Sequence, residues 1–239
     1  MRADLGSFFF RYRNAIGPVL IVIAVAVGAP AYPLGRADLN LVLDVAGIGV
    51  ALLGEALRVV TIGYDYIERG GKKRQVYASK LIQGGMFAHC RNPLYTGNIL
   101  LAVGIAMIVH SPVLYLTALP LVLLVYSCIV AAEERLLRRQ FGDEYAQYCR
   151  RVHRWLPRWT GWAHSTAHLR FNWRRVLVKE YNTLFLAALA LVAVKIWSDF
   201  EVQGRAASPP AVALWAAFLL WLGLYVLVRV LKKSGFIQP

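Results

Sequence analysis

Long apolar runs separated by short polar stretches dominate the pattern of this chain. Six runs stand out, at residues 15–34, 39–62, 93–109, 112–132, 183–198 and 211–230. Each is roughly 16–24 residues long, close to the ~20 that an α-helix needs to cross a hydrocarbon core of about 30 Å. The third is short, and the fifth is short and carries Lys195. The pattern predicts an all-α polytopic membrane bundle of about six helices (five to six). The turn His110-Ser111-Pro112 makes residues 93–132 an antiparallel hairpin, with Pro112 at a first helical position, where its missing N–H has no partner to lose. Beyond Ala132 the helix is expected to leave the membrane and continue: Leu136, Leu137, Phe141, Tyr145 and Tyr148 form one apolar face, with a bend at Gly142.

Composition agrees with the pattern, at 58% hydrophobic residues and a mean hydropathy of +0.50. Charge then orients the bundle. Twenty-two Lys and Arg residues fall in the N-terminus, residues 63–92, residues 133–182 and the C-terminal tail, against Arg36 and Arg205 on the opposite side. The positive-inside rule therefore places both termini and the two long loops in the cytoplasm. The net charge of +14 is mostly this orientation signal. A nucleic-acid partner is disfavoured, because the charges flank spans instead of forming one basic domain. Arg11 and Arg13 precede a long apolar run without a small-residue cleavage site, so that run reads as a span. Cys90, Cys128 and Cys149 form neither a disulfide framework nor a metal-ligand spacing.

The chain is organised as one integral domain over residues 1–239, with an interfacial segment at 158–182 and an additional C-terminal helix pair at 183–239. Between the second and third spans, Gly70-Gly71-Lys72-Lys73-Arg74 reads as a basic loop against anionic lipid head groups, and residues 76–86 as a short interfacial helix. Trp155, Trp159, Trp162 and Trp173 among arginines mark the later interface. Within spans, Glu55 and Arg58 are three apart and would pair on one helix face. Asp44 and Lys195 are expected to snorkel near outer span ends, and His110 to do nothing chemical.

Two features carry candidate chemistry. Asn92-Pro93 is a helix-start pair, with Asn as cap and Pro at the first position. The free amides of the following turn, Leu94-Tyr95-Thr96-Gly97, favour an anion, and Arg91 adds a charge suited to a carboxylate or phosphate. Gly97 would let a ligand or a neighbouring helix approach. About forty residues on, Glu133-Glu134 ends the hairpin at the same membrane face. Adjacent helical carboxylates point about 100° apart. One is expected to face a ligand, the other an arginine such as Arg135, Arg138 or Arg151. Together these features describe a pocket for a ligand that carries both a carboxylate and cationic groups, a class that includes S-adenosylmethionine.

The combined motifs resemble the isoprenylcysteine carboxyl methyltransferase and phospholipid methyltransferase superfamily. Its pattern is Arg-His-Pro-x-Tyr-x-Gly, a hairpin, Glu-Glu-x-x-Leu, then Phe-Gly-x-x-Tyr-x-x-Tyr and a final proline. Arg91, Pro93, Tyr95, Gly97, Glu133, Glu134, Leu137, Phe141, Gly142, Tyr145, Tyr148 and Pro157 match it in order, over residues 91–157. The resemblance implies S-adenosylmethionine as methyl donor, with Arg91, Asn92, Pro93, Tyr95, Gly97, Glu133, Glu134, Tyr145 and Tyr148 at its site and no metal. It further implies Glu133, Glu134 and Arg151 at the chemistry. Asn92 stands where the family has His; it keeps a donor and an acceptor but carries no charge, and His89, one turn upstream, is a candidate to compensate.

The implied activity is methyl transfer to a membrane lipid or isoprenoid-type acceptor, with carboxylate O-methylation preferred and phospholipid amine N-methylation as alternative. A lipid-binding scaffold without activity, and an enzyme like the sterol reductases, are the competing classes. The topology is directly testable. In intact cells a membrane-impermeant thiol reagent is expected to label Ser208→Cys and to leave Lys72→Cys unlabelled; the reverse pattern would invert the orientation.

Overall fold

The computed structural model describes residues 3–12, 28, 30–65, 78, 80–203 and 209–237. In chain order its helices are α1 (residues 3–12), α2 (Ala37–Tyr64), α3 (Pro93–Val109), α4 (Pro112–Leu116), α5 (Ala118–Arg151), α6 (Trp162–Thr166), α7 (Trp173–Gln203) and α8 (Pro209–Lys233). The regions around α2, α4–α5, α7 and α8 are long and apolar enough to cross a membrane, and α3 is a shorter apolar helix. The chain is an integral membrane protein. The expected span at 15–34 and the basic loop at 70–74 lie largely or wholly outside the described residues.

The α2–α3 pair forms the centre, because small residues let the two backbones approach. Gly47, Ala51 and Gly54 on α2 recur every three or four residues and face Gly97 and Gly104 on α3. A Cβ on Gly54 would stand 2.6 Å from the Gly97 carbonyl oxygen, and one on Gly47 2.7 Å from that of Gly104. α5 packs beside α3 and is covered by α1, whose Phe10 is buried with Val125 and Ile129 and whose Gly6 lies against Cys128 and Ala132. α7 lies across α2 and α3, and α8 packs on α7, with Phe185 stacked on Tyr225 at 4.1 Å.

Several boundaries differ from the sequence reading, each for a physical reason. The fourth run is interrupted at Thr117, since Pro120 cannot continue α4: its ring would meet the carbonyl four residues back. Thr117 Oγ1 instead bonds the Val113 carbonyl at 2.6 Å. α5 then runs on to Arg151 and bends at Gly142, whose φ of 46° favours glycine. The helix expected at 76–86 is replaced, in its described part, by irregular chain and a 3-10 turn at Gly85–Ala88. The fifth span begins at Trp173, ten residues earlier than expected. Glu180, which makes that stretch look non-membrane, is fully buried against Arg58 at 3.0 Å.

The expected snorkelling of Asp44 and Lys195 is also corrected. Asp44 is buried and takes Lys195 Nζ at 2.9 Å, His110 Nε2 at 3.3 Å and Asn40 Nδ2 at 3.0 Å. Lys195 also meets Asp199. A carboxylate within a bundle needs compensation, and here α2, α7 and the α3–α4 turn supply it together.

The seam predicts an asymmetric response to added bulk. Gly104→Leu is expected to cost on the order of 3 kcal/mol by overpacking and to lower the melting temperature in detergent. Gly49→Ala, which has nothing within 4 Å of its new methyl group, is expected to be neutral or slightly stabilising.

Candidate functional site

The site is assembled where the start of α3, the middle of α5 and the strap of residues 152–158 meet. The strap runs alongside residues 89–92 as a short parallel pairing of Cys90 with His153. Arg91 N–H donates to the His153 carbonyl at 2.9 Å, and Arg158 N–H to the His89 carbonyl at 3.1 Å. Side chains add to this. Asn92 Nδ2 donates to the Arg154 carbonyl at 3.0 Å, and Thr96 Oγ1 to the Trp155 carbonyl at 2.9 Å. The strap therefore covers the first turn of α3.

The two adjacent carboxylates separate as helical geometry requires. Glu134 is buried and clasped by two arginines. Arg154 bonds it through two nitrogens, at 2.8 and 3.1 Å, and Arg91 Nη1 lies 3.2 Å away. This forked geometry suits Arg–carboxylate recognition. Glu133, half-buried, instead accepts the Tyr95 hydroxyl at 2.6 Å. Tyr95 rests on Tyr126, ring centroids 5.5 Å apart.

Arg91 reaches further, with Nη1 at 2.8 Å from Cys149 Sγ. Its Nε is buried without a hydrogen-bond partner among the described residues. Burial pulls the Arg91 pKa down; Glu134, Cys149 and Tyr145 together outweigh this and leave it raised, so the cation persists. Burial pushes the neighbouring Cys90 thiol up and keeps it protonated.

Of the residues singled out from sequence, Arg91, Asn92, Pro93, Tyr95, Glu133 and Glu134 come together at this place. Tyr145 is buried beside Arg91 and Cys149, and Tyr148 donates its hydroxyl to the Phe87 carbonyl at 2.8 Å. Two placements differ from expectation, those of Asn92 and Arg151, and Gly97 takes the second of its two expected forms. Asn92 sits at the cap position, but its side chain holds the strap and makes no cap hydrogen bond. Gly97 faces α2, where a Cβ would meet Arg58 Cγ at 2.5 Å, so the close neighbour it admits is a helix. Arg151 is exposed and donates to Gln83 Oε1 at 3.2 Å, away from the carboxylates.

The arginines on Glu134 are Arg91 and Arg154, where sequence proximity pointed to Arg135, Arg138 or Arg151. Arg135 pairs with Asp4. Arg154 was missed because it follows the end of α5, and only the strap's return brings it back to Glu134. Its nearest signal in sequence was the basic run around His153. His89 does not substitute for the family histidine. Its Nδ1 meets the Arg158 carbonyl, its Nε2 meets Ser165 Oγ at 2.7 Å, and Trp162 covers its ring.

Comparison with known proteins bears on this region. Residues 45–144 match the phospholipid methyltransferase family. A probable protein-S-isoprenylcysteine O-methyltransferase of Oryza sativa subsp. indica is 35% identical over 117 residues, covering 46% of this chain and 59% of the rice protein. Protein-S-isoprenylcysteine O-methyltransferase B of Arabidopsis thaliana is 26% identical over 114 residues, covering 46% and 57%. A nickel-cobalt-cadmium resistance protein of Alcaligenes xylosoxydans xylosoxydans is 28% identical over 156 residues, covering 65% and 70%. The chain thus spans less than two thirds of the length of the plant methyltransferases it matches. No solved structure matches. The matched stretch runs from α2 into the carboxylate-bearing helix, so residues 45–144 are similar to the phospholipid methyltransferase family, in agreement with the resemblance that the sequence motifs carry.

Proposed function

We propose that this protein is an S-adenosylmethionine-dependent methyltransferase that modifies a lipid-like or isoprenoid-linked acceptor at the membrane. The observation that carries the reading is the Arg91 guanidinium. It is held beside Glu134, and its buried Nε has no hydrogen-bond partner among the described residues. A buried donor left over at the start of α3 fits a ligand carboxylate. Glu133, half-buried and oriented by Tyr95, fits the ligand's cationic or hydroxyl groups.

In this reading Arg91, Asn92, Pro93 and the first amides of α3 hold the donor's carboxylate end, and Tyr95 and Glu133 its remaining polar groups. Tyr145 and Tyr148 form the wall behind Arg91. Glu134 keeps Arg91 and Arg154 in place and so closes the strap. Arg154 takes the part that sequence assigned to Arg151. Gly97 contributes by admitting α2.

Bound S-adenosylmethionine supplies a methyl group on a sulfonium, which leaves with the methyl–sulfur electron pair retained on sulfur. The protein's task is alignment of donor and acceptor, where misplacement by about 1 Å costs roughly 100-fold in rate. A carboxylate acceptor is already nucleophilic at neutral pH and requires no base, which favours O-methylation. With an amine acceptor, Glu133 is the side chain placed to take the proton. The acceptor would arrive sideways from the bilayer and the donor from the cytoplasm. Two relatives are named for metal resistance, but no metal-ligand cluster among the described residues supports carrying that over.

Calorimetry on detergent-purified protein tests the reading. S-adenosylmethionine and its demethylated product are expected to bind with a Kd of roughly micromolar size, about −8 kcal/mol. Tyr95→Phe, which removes a hydrogen bond to a charged group, is expected to weaken binding by about 1.5–3 kcal/mol while the fold persists. Arg154→Gln should weaken it and Arg151→Gln should not. Absence of binding to folded wild type in lipid would overturn the methyltransferase reading.

A further inference from the structure

Glu180 lies outside the matched stretch, on a helix whose sequence carries no part of the family motif. Its side chain is fully buried. It reaches the Arg58 guanidinium of α2, with Nη2 at 3.0 and 3.3 Å from its two oxygens. Arg58 is itself 3% exposed. Its other terminal nitrogen, Nη1, donates to the Leu94 carbonyl at 3.3 Å and to Asn98 Oδ1. Those two residues flank Tyr95 on the first turns of α3. Gly97, between them, rests on the Arg58 stem. On the far side, Tyr126 of α5 bonds Asn98 and packs against Tyr95.

These contacts form one continuous path from α7 through α2 to the ligand-facing carboxylate: Glu180, Arg58, Leu94 and Asn98, Tyr95, Glu133. A guanidinium is a planar fork with fixed donor directions. With Glu180 holding one nitrogen, the other is aimed at the turn that carries Tyr95. We propose that Glu180 is a positioning residue: through Arg58 it fixes the first turns of α3 and thereby sets Tyr95 against Glu133. The C-terminal helix pair then contributes to the site without touching it.

An ion pair that only satisfies two buried charges would behave differently. Replacing such a pair by apolar residues is often neutral for stability, whereas removing one partner is strongly destabilising. Arg58 Nε also lies 3.8 Å from the buried Glu55 carboxylate. The informative variant therefore removes both charges, Arg58→Met with Glu180→Leu, in a Glu55→Gln background, in the full chain reconstituted in nanodiscs. Hydrogen exchange is measured at Thr96, Gly97 and Asn98, with residues 101–108 of the same helix as internal reference, and S-adenosylmethionine affinity is measured alongside. The expected result is a melting temperature near wild type, exchange about 10-fold faster at those three amides alone, and donor binding weakened by about 10-fold, equivalent to roughly 1.4 kcal/mol each. Unchanged exchange in the folded double variant would overturn the proposal and leave a purely structural pair. If the double variant does not fold, Glu180→Asp, shorter by one methylene, is expected to give the same local pattern at smaller size, and wild-type exchange there would equally overturn it. The affinity arm rests on the methyl-donor reading and the exchange arm does not. A wild type that fails to bind donor therefore sinks that reading, while exchange still decides this one.

Discussion

Close approach of α2 and α3 is the constraint on which the remaining structure depends. Gly47, Ala51 and Gly54 meet Gly97 and Gly104 almost backbone to backbone. In a bilayer, helices gain little from burying apolar surface against each other, so close packing and polar contacts must supply the association. The seam provides both. It brings the Arg58 stem against Gly97, which puts the guanidinium within reach of Leu94 and Asn98 on α3 and of Glu180 on α7. At the opposite end of the bundle, Asp44 meets Lys195 and His110. Two polar clusters, one toward each end, thus hold α7 across the α2–α3 pair.

The site uses the same logic at the membrane boundary. A buried carboxylate is costly unless paired, and Glu134 resolves this with one arginine from the strap and one from the segment the strap runs along. That pairing converts residues 152–158 from a loop into a cover over the start of α3. Glu133, one position earlier, instead accepts the Tyr95 hydroxyl. Two neighbouring residues of one type thereby acquire separate roles, through no more than the roughly 100° between successive helical side chains. Asn92, where the pattern that the sequence resembles has His, fits the cover as well. An amide N–H donates well to the Arg154 carbonyl, and that bond depends on no protonation state.

Much of the bundle was legible in sequence because membrane helices announce themselves by length and apolarity alone. α3 begins and ends where the pattern placed it, since Asn92-Pro93 and His110-Ser111-Pro112 are strong local signals. The continuation of α5 past Ala132 and its bend at Gly142 were legible from the amphipathic face and the glycine. The start of α7 was not. Lys179 and Glu180 look like loop residues until the buried partner, Arg58, supplied by a helix 122 positions earlier in the chain, is known.

The sequence by itself determined that the chain is a membrane helix bundle, that Arg91 to Gly97 and the Glu133-Glu134 pair return to one face, and which family pattern they form. These properties follow from local periodicity, local turn chemistry and the topology of a hairpin. Only the tertiary structure decided which carboxylate is clasped by arginines and which meets Tyr95, that Arg154 and not Arg151 does the clasping, that Gly97 admits a helix, and that Glu180 is tied through Arg58 to the start of α3. Each of these depends on the rotation of a helix about its axis or on the path of a returning strap. Charges find their partners by position in space, and the order of residues along the chain does not encode that position locally.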